Sequence, residues 1–459
     1  MSDHRKTAVE YIEGNYPRFL NELIELSAIP SISTDPASTG QVRQAAEWVA
    51  SKLRQAGIQH VQLYPTAGHP VVYGDWLHAG AQAPTVLIYG HYDVQPAVLA
   101  DGWKSEPFKP EVRGENLYAR GATDMKGQVT ASINAVEAIL KNGPLPVNVK
   151  FMIEGEEEIG STHLGAFIQE NKTLLACDLA LNPDTGMLAP HLPTITYALR
   201  GLAYFEIRLN GPAHDLHSGV FGGVVHNPAQ VLCELIASLH DEQGRVNLPG
   251  FYDRVRDLDA DERTELARLP MGDDFYLERS GAPQLWQGEL GYTAAERAGA
   301  RPTLEVHGLY SGYTGEGGKT VLPAAAMAKI SCRLVPDQDP EEVHQQLHSY
   351  LEAHMPKTTT WELIKMTGSP ASMSERSSPA VHALSSAMED TWGKRPLFKR
   401  EGGSVPVVTM IQNTFGVDVV NSGFSMPDDN MHGPNEKLHL PTWHLGTQAF
   451  VRFFFNLAS

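Results

Sequence analysis

The sequence predicts an α/β protein with a mostly parallel central sheet flanked by helices, interrupted by a smaller α+β domain. Three observations carry this. Short apolar strands and helices alternate through the first 200 residues; the pattern then changes to half-buried strands with two amphipathic helices; and α/β alternation resumes after residue 370. A chain of 459 residues exceeds one core, and a prior of about 150 residues per domain allows two or three, of which the pattern supports two. The larger domain is placed at 1–200 and 371–459, the inserted one at 201–370.

Helical periodicity opens the chain, with Phe19, Leu20, Leu23, Ile24 and Leu26 on one stripe and a second helix in "VRQAAEWVASKLRQAGI" ending at Gly57. "PTVLIYG" reads as a buried strand. "GQVTASINAVEAILKNG" places Val129, Ile133, Val136 and Leu140 on one helical face, and "VNVKFMIEG" and "CDLALNPD" are further short strands. Beyond residue 200, "LAYFEIRLNG" alternates like a strand with one buried face. Helix "NPAQVLCELIASLH" follows, with Asn227 as N-cap and Pro228 in its first turn. Strand "AAAMAKISCRLVP", helix "DPEEVHQQLHSYLEAH" and strand "TTTWELIKM" complete the insertion. Helix "PAVHALSSAMEDTW", strand "VDVVN" and helix "PTWHLGTQAFVRFFFNL" return to the first pattern.

Composition narrows the partners. A net charge of −18, from 36 basic and 54 acidic residues, repels nucleic-acid phosphates and anionic lipid surfaces. Cys177, Cys233 and Cys332 stand far apart without a CxxC pair, which argues against a disulfide framework. Each lies in an apolar run and is expected in the core. The first 30 residues hold no apolar segment of signal type, and no run reaches about 18 apolar residues. These features read as a cytoplasmic protein with no membrane segment.

The chemistry gathers at predicted strand ends. "IYGHYDVQP" ends a strand in His91 and Asp93, which, two apart, are expected on one face. "EGEEEIGS" ends another in Glu156, Glu157 and Glu158, and "NPD" ends a third in Asp184. "ARGATDMKGQ" sets Asp124 before a helix, and "DNMHGPNEKL" offers His432 in a Pro/Gly loop. Open α/β sheets place ligands beyond the carboxyl ends of their strands, so these groups converge. Singly, each has an ordinary reading as a satisfied polar pair, solvated helix start, N-cap or turn residue. Together they form a cluster of carboxylates that would repel one another without a cation. Two imidazoles, several carboxylates and no thiolate suit zinc, manganese or cobalt, in number enough for two ions.

With these motifs the sequence resembles the dinuclear metallopeptidases that include carnosinase and cytosolic nonspecific dipeptidase, carboxypeptidase G, aminoacylase and succinyl-diaminopimelate desuccinylase. The resemblance runs in order through "GHYDVQP", "ARGATDMKGQ", "EGEEEIGS", "NPD", "DLHSGVFGG", "KTVLP", "SCRLVP", "REGGSVP" and "MHGPNEKL". The last five point to the carnosinase and nonspecific dipeptidase branch. It implies two divalent ions per subunit, zinc first and manganese or cobalt as alternatives. His91 and Asp184 would ligate one ion, Glu158 and His432 the other, with Asp124 bridging. Glu157 resembles the general base, and Asp93 the aspartate that orients His91. In the insertion, which the resemblance makes a lid and dimerisation domain, His217, Thr320 and Arg333 resemble substrate-holding groups, as does Ser404 of "EGGS". His217 is also the expected oxyanion donor. A homodimer is implied, in which His217 reaches the partner subunit's site.

The activity implied is hydrolysis of unblocked dipeptides by a hydroxide shared between the ions, with Glu157 taking and returning the proton. Removal of an acyl or carbamoyl group from an amino acid is an alternative of the same class. A metal-binding relative without catalysis is a third reading, opposed by the presence of Glu157 with all five candidate ligands.

Overall fold

Largely apolar runs become strands buried along nearly their whole length: Val71–Trp76, Thr85–His91 and Asn148–Glu154. Such strands belong to sheets covered on both faces. The protein is described here by a computed structural model over residues 2–458, which divide into two units. One comprises residues 2–197, Ser374–Lys399 and residues 406–458; the other comprises Ala198–Met373 and Arg400–Val405.

In the larger unit the strands run in the order Gln59–Tyr64, Val71–Trp76, Asn148–Glu154, Thr85–His91, Leu179–Asn182, Asp418–Asn421, Thr194–Leu199. The four from Asn148–Glu154 to Asp418–Asn421 are parallel, and antiparallel strands flank them. Parallel pairing brings the carboxyl ends to one edge, where His91 lies opposite Glu154 and Asn182 opposite Asn421. That edge carries the site.

Helix Gly127–Asn142, read from its periodicity as buried on one face, is buried at every position from Gly127 to Ile139. The difference arises because helices Ser2–Gly14, Tyr16–Ser27, Thr39–Ala56 and Leu440–Asn456 all pack on it. Burial then requires partners for its one carboxylate: Glu137 bonds Lys52 at 2.8 Å and Arg18 at 2.5 Å. A small sheet of Glu111–Arg113, Asn116–Tyr118 and Lys437–His439 anchors the loop that precedes it, which carries His432.

The smaller unit is built on an antiparallel sheet in the order Thr303–Ser311, Ala325–Leu334, Gly201–Asn210, Thr360–Ser369. Inward residues such as Phe205, Ile207, Ala328 and Ile330 share one core with Val231, Leu235, Leu347 and Leu351 of helices Pro228–Ser238 and Pro340–His354. Asn227 caps the first of these by accepting from the Ala229 N–H, with Pro228 following. Three short helices, Ala260–Leu266, Asp273–Ser280 and Ala294–Ala300, fill a stretch in which the sequence pattern showed none. Their seven or eight residues are too few for a helical period to stand out. A two-stranded ribbon pairs Leu216–His217 with Val321–Leu322.

All three cysteines are free, but only Cys332 is a core residue; Cys177 is half-buried and Cys233 exposed. Cys233 lies in an apolar stretch, yet the helix buries Val231, Leu232 and Leu235 and turns position 233 outward. Among the described residues no helix is long and apolar enough to cross a membrane.

Candidate metal centre

His91 is the last residue of strand Thr85–His91, and burial leaves its imidazole no solvent. Asp93 lies just past the strand, in a segment held by the Tyr92 N–H on the Glu154 carbonyl and by the bridge of Val94 with Ile32. Nδ1 of His91 lies 3.1 Å from the Asp93 carbonyl and 3.4 Å from its carboxylate. That leaves Nε2 directed at Asp124 Oδ1, 3.2 Å away, and Asp184 Oδ2, 3.9 Å away. On the far side of Asp124, Oδ2 meets His432 Nε2 at 2.9 Å, and the same nitrogen meets Glu158 Oε2 at 3.1 Å.

Two overlapping donor groups result, His91 with Asp124 and Asp184, and Asp124 with Glu158 and His432; within each, the donor atoms lie within 4.8 Å of one another. Asp124 belongs to both. Each position follows from local structure. Asp184 follows strand Leu179–Asn182 and donates its N–H to Asn182 Oδ1. Glu158 sits in the short turn Glu157–Ile159 after strand Asn148–Glu154. His432 has φ of 59°, a left-handed conformation in the tight loop, and keeps 53% of its side chain exposed.

The charges are strained in the way expected of a cation site. Burial, then repulsion from Asp124, pushes Asp184 up to about 7. Burial chiefly pushes Glu157 up to about 9, with Asp184, Asp124 and Glu158 adding to it. Burial would raise Asp124 too, but hydrogen bonds from His432 and His91 outweigh it and hold this carboxyl below the usual range. His432 is lifted to about 10 by its bonds to Asp124 and Glu158. Burial opposes protonation of His91, yet Asp124 and Asp93 raise it well above the ordinary imidazole value. The shifts mark a cluster that demands positive charge, and three carboxylates with two imidazoles are a donor set that suits divalent ions.

The three glutamates separate by role. Glu156 accepts hydrogen bonds from the backbone N–H groups of His69 and His163 and meets His163 Nδ1 at 2.9 Å, so it braces the turn. Glu158 faces His432. Glu157 stands outside both donor groups while sharing their electrostatic field.

Four further candidates lie in the smaller unit. His217 ends its ribbon strand, exposed, with Nδ1 accepting from the Gly219 N–H. Thr320 is beside it, its carbonyl accepting from the Ser218 N–H. Arg333 Nη1 donates to Ser404 Oγ at 3.0 Å, and Ser404 donates to the Arg200 carbonyl at 2.5 Å.

Several residues that position the site escaped the sequence reading. Glu436, fully buried, accepts from the backbone N–H groups of Gly121, Thr123 and Asp124 at 2.9, 3.0 and 3.2 Å and from Arg120 at 2.7 Å. Gln95 donates to Glu158 Oε2 at 2.8 Å, and Thr123 Oγ1 donates to Asp429 at 2.8 Å. Glu436 and Gln95 lie inside the motifs "MHGPNEKL" and "GHYDVQP", four residues from His432 and from His91. That adjacency was the one available signal.

Comparison with known proteins agrees with this geometry. The model of peptidase family M20/M25/M40 matches residues 87–456. Among curated proteins, Cys-Gly metallodipeptidase DUG1 of Candida albicans is 33% identical, covering 95% of this chain and 94% of its own. Among solved structures, human carnosine dipeptidase 1 superposes with a TM-score of 0.79 and 30% identity, covering 99% of this chain and 98% of its own. The M20 family metallo-carboxypeptidase Sso-CP2 of Sulfolobus solfataricus superposes with a TM-score of 0.83 and 32% identity, covering 96% and 99%.

Proposed function

We propose that this chain, which belongs to peptidase family M20/M25/M40, is a metal-dependent dipeptidase that hydrolyses unblocked dipeptides. The observation that carries the reading is the pair of donor groups sharing Asp124, with Glu157 beside both and part of neither. His91, Asp124 and Asp184 would hold one divalent ion, and Asp124, Glu158 and His432 a second. When bound, the ions supply Lewis acidity, polarising the peptide carbonyl and acidifying the attacking water. Zinc is the expected metal, with manganese and cobalt as alternatives.

The side chains do the rest. Glu157 takes a proton from the attacking water on a carboxylate oxygen and delivers it to the departing amine nitrogen, so that one water is added across the C–N bond. Asp93 keeps Nε2 of His91 directed inward by engaging Nδ1. Arg333, held by Ser404, presents a planar fork suited to the substrate's terminal carboxylate. His217 donates to the oxyanion, with Thr320 beside it. Exposed Val220, Phe221 and Val224 around His217 support an interface with a second copy, so the working form is a homodimer in which His217 serves the partner subunit. The compartment is the cytoplasm.

A panel of free dipeptides, tripeptides and N-acyl and N-carbamoyl amino acids, run with zinc, manganese and cobalt, tests this. Turnover is expected for the dipeptides. Preference for the acylated amino acids would replace the reading with an amidase, and preference for longer peptides with a carboxypeptidase. No turnover by protein shown to carry metal would leave a binding role alone.

A further inference from the structure

The smaller unit contains a cavity of about 460 Å³ of which the proposed chemistry uses Arg333 alone. Sheet residues Thr303, Glu305, His307, Ser331 and Arg333 form one wall, Arg200 joins them from just before strand Gly201–Asn210, and residues between 240 and 302, including Tyr276, Leu285 and Trp286, form the rest. Four arginines line it, Arg200, Arg297, Arg301 and Arg333, against two glutamates, Glu289 and Glu305. In a chain of net charge −18 this excess of cations is out of character.

The four are not equivalent. Arg301 is neutralised by a two-pronged pair with Glu289, at 2.8 and 2.7 Å. Arg297 donates to the backbone carbonyls of Gln287 and Tyr292. Arg200 donates to the carbonyls of Gly402 and Arg301, at 3.3 and 3.5 Å, and Arg333 to Ser404 Oγ. Among the described residues neither Arg200 nor Arg333 has a carboxylate at ion-pair distance. Burial first, and then the charge of Arg333, bring Arg200 down to about 10, while Glu401 and Glu305 partly offset this. Two guanidiniums that line one cavity, each partly withdrawn from water and without a carboxylate partner at ion-pair distance, define a place for anionic groups. Ser404 ties them together, since it accepts from one and donates to the backbone of the other.

We propose that this cavity receives the side chain of the substrate's C-terminal residue and that Arg200 selects an acidic one, so that the preferred dipeptides end in glutamate or aspartate. The proposal rests on the reading that Arg333 and Ser404 hold the terminal carboxylate. An acidic side chain branches from the same α-carbon as that carboxylate, so one residue offers two anions to two cations. Leu285, Val246 and Ala298 offer apolar contact to the intervening methylenes. A neutral side chain of the same length would leave Arg200 desolvated and unpaired.

Alanyl-glutamate and alanyl-glutamine differ little in shape and test the charge directly. The wild type should favour the glutamate peptide in kcat/KM by about tenfold to a hundredfold, the range of a charge-assisted hydrogen bond. Arg200→Gln should bring that ratio close to one, and Arg200→Lys should retain part of it. A wild-type ratio near one, or a ratio unchanged in Arg200→Gln, overturns the proposal. Because Arg200 is half-buried and its variants can fail to fold, the wild type supplies a second test. Free glutamate should inhibit turnover of alanyl-alanine about tenfold more strongly than free glutamine, and equal inhibition overturns the proposal. Turnover of alanyl-alanine without acidic preference defeats this inference alone; absence of turnover on every dipeptide defeats the dipeptidase reading beneath it.

Discussion

Asp93 accepts a hydrogen bond from the backbone N–H of Glu158 at 3.1 Å, and its second oxygen lies 3.3 Å from the N–H of Glu157 and 3.4 Å from Nδ1 of His91. One buried carboxylate therefore sets the imidazole at one strand end and the acidic turn at the next. The relationship explains how His91 keeps its spacing from the consecutive residues Glu157 and Glu158, the proposed base and a proposed ligand. It also separates residues that act on substrate from residues that hold those in place.

Glu157→Gln should keep both ions and lose turnover by about 100-fold to 10,000-fold, because an amide retains the shape but accepts no proton. Metal analysis alongside steady-state rates checks it. Near-normal turnover with full metal would remove the base role from Glu157.

Asp124→Ala should lose both ions together, since each donor group includes this carboxylate. The measurement is metal content after gel filtration. Two ions still tightly held would contradict the bridging position.

Glu436→Gln should cost about 3 to 5 kcal/mol, the range for breaking a buried charge pair, because Arg120 loses its partner at 2.7 Å. The amide's single NH2 also replaces one acceptor oxygen, turning donor hydrogens toward either the Gly121 N–H or those of Thr123 and Asp124, so metal affinity should fall as the turn loosens. Chemical denaturation and metal titration read the two effects. Wild-type values in both would show that the turn holds Asp124 without it.

Glu137 gives a pH signature away from the metal centre. Burial raises its pKa, but hydrogen bonds from Arg18 and Lys52 outweigh this and set the folded value below the ordinary 4.5. A carboxyl whose folded value is depressed contributes stability that is complete above the unfolded value and is lost as pH falls through the folded one. Glu137→Gln should therefore melt below the wild type at neutral pH, and the gap should close as pH drops beneath 4.5. A gap constant with pH would show that Glu137 acts through packing.

Mixing Glu157→Gln with His217→Ala subunits tests whether His217 acts across a dimer. If it does, each mixed dimer has one site with both defects and one with neither. Equal random reassortment makes about half the dimers mixed and restores about a quarter of wild-type sites. No recovery, with mixed dimers verified by native mass spectrometry, would confine His217 to its own subunit.

The mixed character of the chain was legible because strand and helix periods are local: a run such as "TVLIYGH" or "NVKFMIE" specifies a buried strand whatever surrounds it. Legible too was the placing of His91, Asp184 and the glutamates after such runs, since a parallel sheet collects its carboxyl ends at one edge. Helix Gly127–Asn142 shows the first limit. Its periodicity marked one apolar face, but four packing helices bury the other, and no local pattern records how many neighbours a helix will have.

By itself, then, the sequence determined which residue types stand at the strand ends, and that together they carry too much negative charge to be left without a cation. Tertiary structure alone decided how they share it. Asp124 turns one oxygen to His91 and the other to His432, 308 positions further along the chain, because Glu436 grips the backbone on which Asp124 sits. Arg200, at the junction between two strands, and Arg333, within strand Ala325–Leu334, likewise line one cavity. Such pairings depend on where distant segments cross, and the free energy that fixes them, burial of charge with a partner, exists only once water has been excluded.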